Sequence, residues 1–203
     1  MATWTGTSAN DTWEGTDSAD TATGGNGNDV LFGGNGADKM YGGLWYDTLD
    51  GSYGNDLLSG GGSNDTLFGG CGEDTLYGGD GNDSMAGGWT NDILFGGTGR
   101  DNLQGNEGWD TLFGGDGGDR IAPGGGRGEV WGDGGNDIFF VPDRSSVYFH
   151  DFQSGSEKID IRPAYESLTI SADGKFVYVD TGVYEINLYF VDDSTTVALS
   201  DFV

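Results

Sequence analysis

Basic residues are scarce in this chain: eight Lys and Arg stand against 34 Asp and Glu, a formal net charge of −26 over 203 residues. So acidic a protein repels polyphosphate, which argues against a nucleic-acid partner. The single cysteine, Cys71, excludes an internal disulfide framework, so stabilisation must come from elsewhere. The only histidine, His150, has no serine or cysteine motif beside it and reads as structural rather than catalytic. No apolar run is long enough to cross a bilayer, and Met1-Ala2-Thr3-Trp4 lacks the basic and apolar regions of a secretory leader. No membrane span is expected, and export would need a different signal.

Glycine, by contrast, is abundant at 42 residues. Low hydrophobicity combined with like charge is the composition of a disordered chain, because self-repulsion and backbone entropy outweigh the apolar area available. Glycine raises that entropy further. Compactness therefore requires an external source of positive charge and binding free energy, and bound cations are the natural candidate.

The glycines are not scattered. Fifteen nine-residue units run in register from Gly6 to Phe140, with Gly24-Gly25-Asn26-Gly27-Asn28-Asp29-Val30-Leu31-Phe32 as a clear copy. The sixth position holds Asp11, Asp20, Asp29, Asp38, Asp47, Asp56, Asp65, Asp74, Asp83, Asp92, Asp101, Asp110 and Asp119, then Gly128, then Asp137. The eighth is apolar throughout, from Trp13 and Ala22 through Leu31, Met40 and Leu67 to Val130 and Phe139. In each unit the glycine-rich first six residues predict a turn and the last three a short strand, whose middle side chain faces the opposite way from its neighbours. Two units then make one flattened coil, and unit n stacks on unit n+2 at about 4.8 Å. The expected fold class is all-β: a parallel β-roll (a β-helix or solenoid) of about seven coil turns, with a thin core between two sheets.

Copies such as GGNGADKMY from Gly33, GGCGEDTLY from Gly69 and GGDGNDSMA from Gly78 resemble the nonapeptide repeats of the RTX (repeats-in-toxin, or hemolysin-type) calcium-binding family. The resemblance covers residues 6–140. It implies Ca²⁺ between stacked turns, held by the sixth-position Asp carboxylates and by loop backbone carbonyls, an oxygen set suited to a hard cation. Carried over, the carbonyls are those of Gly24, Asn26, Gly27, Gly33, Asn35, Gly36, Gly69, Cys71, Gly72, Gly78, Asp80, Gly81, Gly96, Thr98, Gly99, Gly114, Asp116 and Gly117. Asp11 to Asp137 form one edge with seven gaps and Asp20 to Asp110 the other with five, so at most twelve sites are available. Twelve divalent ions would nearly cancel the net charge of −26. About eight to twelve ions are expected, with thinner occupancy at GTSAND, GTDSAD, GGLWYD, GGGSND and GGWTND, where the fourth glycine is replaced, and no complete site at Gly128.

Beyond Phe140 the repeat gives way to period-two segments: Val147–Phe149, Ile159–Ile161, Phe176–Val179 and Ile186–Val191. Asp173-Gly174 is a hairpin signal. Residues 141–203 are expected to form a C-terminal β cap, since an open coil end exposes strand edges and core side chains. The stretch from Tyr148 to Asp160 resembles the flank that follows RTX repeats. Leu199-Ser200-Asp201-Phe202-Val203 resembles the terminus of bacterial type I secretion substrates, its plain alternative being an ordinary last strand.

The expectation for function is a secreted, non-catalytic, calcium-dependent roll, with the type I secretion machinery as a partner and an extracellular location; repeats that begin at Gly6 leave no length for a catalytic domain before them. An alternative of another class is a cell-surface or matrix protein that binds polysaccharide. Its candidate ligand face is the ninth-position column Tyr77, Phe95, Phe113 and Trp131, unless the C-terminal segment covers it. An ice-binding solenoid would use the column Thr12, Thr48, Thr66 and Ser84, but Val30 interrupts it. Asp151, Glu157 and Asp160 read as solvated strand ends rather than as a hydrolytic carboxylate pair.

Overall fold

A computed structural model describes residues 1–141, 145–153, 156–161, 167–170, 176–180, 185–190 and 197–203. The chain begins with β1 (Thr3–Thr5), β2 (Thr12–Glu14), β3 (Thr21–Asn26), β4 (Val30–Asn35), β5 (Lys39–Leu44) and β6 (Thr48–Tyr53). It continues through β7 (Leu57–Gly62), β8 (Thr66–Cys71), β9 (Thr75–Asp80), β10 (Ser84–Trp89) and β11 (Ile93–Gly99). A long β12 (Asn102–Gly117) spans two units and precedes β13 (Arg120–Ala122), β14 (Gly125–Gly135) and β15 (Ile138–Val141).

Each strand from β1 to β10 pairs in parallel with the strand two places on, as Leu31↔Leu49 and Leu67↔Met85 show, and β11 pairs with the second half of the long β12, as Leu94↔Leu112 shows. Residues 18 apart are thus stacked neighbours, as the two-unit coil predicts. The paired stretch is longer than the expected three residues. From β3 to β10 every strand has six, because the ladder runs on into the glycine-rich turn, where Gly70 pairs with Gly88 and Cys71 with Trp89. A side chain has no room there: a Cβ on Gly70, whose φ is 110°, would meet the Ser52 backbone.

The eighth-position column is the core. Leu31, Leu49, Leu58, Leu67, Leu76, Leu94, Leu103 and Leu112 are fully buried. The core does not end with the repeat, since Val147, Phe149, Ile159 and Leu188 extend the same cluster.

Coiling likewise outlasts the repeat. β16 (Ser146–Phe149) pairs in parallel with β14, and β17 (Lys158–Ile161) with β15, which adds a turn and brings the roll to about eight. The β14–β16 step links Val130 to Phe149. β19 (Phe176–Asp180) pairs antiparallel with both β18 (Ser167–Ile170) and β20 (Glu185–Phe190), and β20 lies parallel on β16 with Phe190 stacked on Phe149 at 5.0 Å. The Asp173-Gly174 turn lies outside the described residues. At the C-terminus, Leu199–Asp201 is a 3₁₀ turn rather than a strand, closed by the Ala198 N–H donating to Asp201 Oδ2 at 2.8 Å. Only Phe202 makes a β contact, a single parallel bridge to Ile159.

Candidate metal centre

Every sixth-position aspartate from Asp20 onward is buried. The turn geometry explains how. The backbone N–H of each aspartate that has another 18 residues on donates to Oδ1 of that residue, as in Asp38 to Asp56 at 2.7 Å, Asp65 to Asp83 at 2.7 Å and Asp101 to Asp119 at 2.9 Å. One carboxylate oxygen per residue is thereby consumed in joining coil to coil.

The other oxygen has no donor. Oδ2 of Asp29, Asp38, Asp47, Asp56, Asp65, Asp74, Asp83, Asp92, Asp101, Asp110, Asp119 and Asp137 is buried without a hydrogen-bond partner. Those are seven on one edge and five on the other, as many as the Asp–Asp gaps but displaced by one coil: Asp11 and Asp20 contribute none, and Asp110 and Asp137 carry theirs beyond the last aspartate of their edges. Burial, then repulsion by neighbouring carboxylates, pushes Asp56, Asp65 and Asp119 up to about 7 and Asp92 up to about 8.

Each orphan oxygen borders a small cradle. A Cβ built on Gly33 would lie 2.6 Å from Asp38 Oδ2 and 2.8 Å from the Gly51 carbonyl oxygen, and on Gly114 2.6 Å from Asp119 Oδ2 and 2.7 Å from the Gly132 oxygen. First-position glycine therefore keeps clear a point at which a carboxylate oxygen and the next coil's carbonyl oxygen converge. Among the described residues no group of three or more His, Cys, Asp or Glu converges. The donor set is instead one or two carboxylates with backbone carbonyls, all oxygen, which fits a hard divalent cation and disfavours a thiolate- or imidazole-binding metal.

The third-position residues Asn26, Asn35, Asp80, Thr98 and Asp116 are exposed and Cys71 half-buried, so their side chains stand outside the buried aspartate rows. Cys71 and Thr98 each accept the N–H of a fourth-position glycine, from Gly54 and Gly81, both at 2.8 Å.

The two N-terminal turns differ from the rest. Asp11 Oδ2 accepts the Thr7 N–H at 2.6 Å and hydroxyl at 2.9 Å, and Asp20 Oδ2 accepts the Thr16 N–H at 2.9 Å and hydroxyl at 2.7 Å. The Ala2 N–H, then the Thr16 hydroxyl, hold the Asp20 carboxyl down at about 2. Threonine at the second position supplies what the glycine turns lack. Degenerate turns further along behave otherwise: Trp45, Ser63 and Thr90 keep the left-handed φ of the glycine they replace (84°, 80° and 81°), and the orphan oxygens of Asp47, Asp65 and Asp92 persist. At Gly128, which brings no carboxylate, a side chain would run into Pro123, yet a Cβ on Gly105 would still lie 2.3 Å from both Asp110 Oδ2 and the Pro123 carbonyl oxygen.

The aromatic column forms as a stack. Ring centroids are 4.9 Å apart for Tyr77–Phe95, 4.8 Å for Phe95–Phe113 and 4.4 Å for Phe113–Trp131, and His150 continues it at 3.8 Å from Trp131. His150 also approaches Glu129 at 3.5 Å. The C-terminal segment thus covers the end of the ladder, while Tyr77 stays exposed and Phe95, Phe113 and Trp131 half-buried. Because the ring faces are used within the stack, a ligand alongside would meet ring edges. The reading of Asp151, Glu157 and Asp160 as solvated strand ends needs correcting for two of them: Glu157 is fully buried and Asp160 nearly so, since the extra turn carries them inside. Asp151 caps the last glycine turn, accepting the N–H groups of Gly132 and Asp133 at 2.8 and 2.7 Å.

A model of the RTX calcium-binding nonapeptide repeat matches residues 14–44, 47–72, 69–94 and 86–121. No curated protein sequence matches the chain. Among solved structures, the R3 subunit of the Azotobacter vinelandii mannuronan C5-epimerase AlgE6 aligns with 22% identity and a TM-score of 0.43, covering 57% of this chain and 78% of that one. The extracellular lipase LipA of Serratia marcescens aligns with 18% identity and a TM-score of 0.36, covering 78% of this chain and 40% of the lipase. Among the described residues no helix is long and apolar enough to cross a membrane.

Proposed function

Because the chain belongs to the RTX calcium-binding nonapeptide repeat family, we propose that it is a secreted, non-catalytic β-roll whose folding is coupled to the uptake of about eight to twelve Ca²⁺ ions. The row of twelve donorless, buried aspartate oxygens carries this reading. Leaving a buried acceptor unsatisfied costs about 1–3 kcal/mol, so twelve would together rival or exceed the 5–15 kcal/mol net stability typical of a domain. Calcium, when bound, supplies the positive charge and oxygen coordination that the turns cannot supply to each other. The aspartates would contribute Oδ2, and the first- and third-position residues their carbonyls, while Oδ1 goes on holding the coil below.

Such a chain stays unfolded where calcium is scarce and folds where it is plentiful. That suits export by the type I machinery to an extracellular location, and the short acidic-then-apolar terminus Leu199–Val203 supports the same route. Far-UV circular dichroism with calcium and with excess chelator tests the coupling. The expected result is a β spectrum with calcium and a disordered one without it; a β spectrum that persists in excess chelator would sink the mechanism.

A second reading, contact with polysaccharide or a cell surface, is favoured by a groove of about 400 Å³ lined by Trp45, Tyr46, Asn10, Asn26 and Asn28. Exposed aromatic side chains beside amides suit sugar recognition better than the self-stacked ladder does. On a glycan array with calcium, binding lost in Trp45→Ala but kept in Phe95→Ala/Phe113→Ala would support the groove. Absence of any glycan signal would remove this reading.

A further inference from the structure

The last glycine turn, Gly132 to Asp137, has no repeat stacked on it, yet it ends at a second carboxylate. The Ile138↔Lys158 register brings Glu157 over Asp137, the place a sixth-position aspartate would hold. Glu157 divides its oxygens as those aspartates do: Oε2 accepts a backbone N–H, from Gln153 at 2.6 Å, while Oε1 is buried with no hydrogen-bond partner. Asp137 Oδ2 is likewise buried with no N–H or hydroxyl donor and faces the Glu157 carboxyl at hydrogen-bonding range, and both residues have no solvent exposure. A Cβ on Gly132 would lie 2.6 Å from Asp137 Oδ2 and 3.0 Å from Glu157 Oε1. In the Gly33 and Gly114 turns the second oxygen at this point is a neutral carbonyl; here it is a carboxylate.

We propose that Asp137 and Glu157 form a terminal site for a hard divalent cation, calcium among the candidates, in which Glu157 is a ligand from outside the repeats. The proposal rests on the calcium reading above. Two anionic oxygens at one buried point make this the most negative of the cradles, so its ion binds more tightly than those held by one carboxylate and carbonyls. It also fastens β17 and the segment after it to the repeat, because the two ligands come from opposite sides of that junction.

The test counts bound calcium in the full-length chain by elemental analysis after gel filtration, alongside calorimetric titration, for the wild type, Glu157→Gln and Gly132→Ala. Glu157→Gln keeps the side-chain volume and removes the charge; Gly132→Ala keeps both carboxylates and fills the point between them. Each variant is expected to bind one ion fewer per chain and to lose the tightest binding step, with calcium-induced β structure retained. Glu157→Asp, which keeps a carboxylate, restores the ion to a greater extent than Glu157→Gln. Wild-type stoichiometry and affinity in both Glu157→Gln and Gly132→Ala would overturn the proposal. A wild type that gains no structure with calcium would instead overturn the reading on which it rests.

Discussion

Replacing Gly69 by alanine blocks one cradle without removing a donor. The new methyl would sit 2.5 Å from Asp74 Oδ2 and 2.5 Å from the Gly87 carbonyl oxygen, the two atoms converging there. Real Cβ atoms keep at least about 3.0 Å, so both oxygens must move apart by several tenths of an ångström, and overpacking of this kind costs about 1–3 kcal/mol. Losing an ion present at a hundred times its dissociation constant removes about 2.7 kcal/mol more. The calcium-saturated protein should therefore lose about 4–6 kcal/mol, bind one Ca²⁺ fewer and need more calcium to reach the midpoint of its folding transition. Gly62→Ala is the control: its methyl would touch only Leu44 Cδ2 at 3.5 Å, and it alters the unfolded chain's entropy equally. Calcium titrations followed by circular dichroism, with calorimetric stoichiometry, compare the two. Equal ion counts and midpoints for Gly69→Ala and Gly62→Ala would refute the assignment of the cradle.

In chelator, burial raises Asp47, Asp74, Asp101 and Asp110 to about 6 and Asp92 to about 8, above the unfolded value of 3.8. The folded coil then holds more protons than the unfolded chain, so stability is greatest in acid and is lost as pH rises from about 4 through 8; a chelated chain more structured at pH 8 than at pH 5 would contradict this. Thr16→Val should leave Asp20 Oδ2 without its hydroxyl donor, raising the Asp20 pKa above about 2 in an NMR titration while calcium stoichiometry stays unchanged. Leu67→Ala, at a fully buried core position, should cost about 3–5 kcal/mol in calcium-saturated denaturation, and a loss below 1 kcal/mol would mean that the thin core relaxes to fill the gap.

Much of this molecule could be read from spacing. A period of nine places every eighth residue in one column and every sixth in another, and both columns lie inside as their apolar and acidic characters suggest. The division of labour within each carboxylate could not be read, since it depends on which oxygen meets the N–H of the coil before. Nor could the role of Thr7 and Thr16: their turns stand out in sequence for a missing fourth glycine, whereas the hydroxyl at the second position is what alters the chemistry. Glu157 looked solvated because its neighbours alternate as in any strand. Its burial follows from the register of β17 on β15, a long-range pairing with no local signature. His150 lacks a motif for the same reason, since the ladder it completes is assembled from residues 18 and 19 positions apart.

Every parallel step from β1 to β15 joins residues 18 apart, from Trp4↔Ala22 to Leu103↔Ile121. The roll is thus a one-dimensional lattice whose unit cell is two repeats, not one. Loss or duplication of a whole cell would shorten or lengthen the rod and leave every column on its own face. Loss of a single repeat would keep the core and the aspartate rows in phase but splice the two faces together, running the column of Phe32 and Phe68 into that of Tyr77, Phe95 and Phe113. Length is free to drift in such a lattice, whereas the identity of each face is conserved only in steps of eighteen.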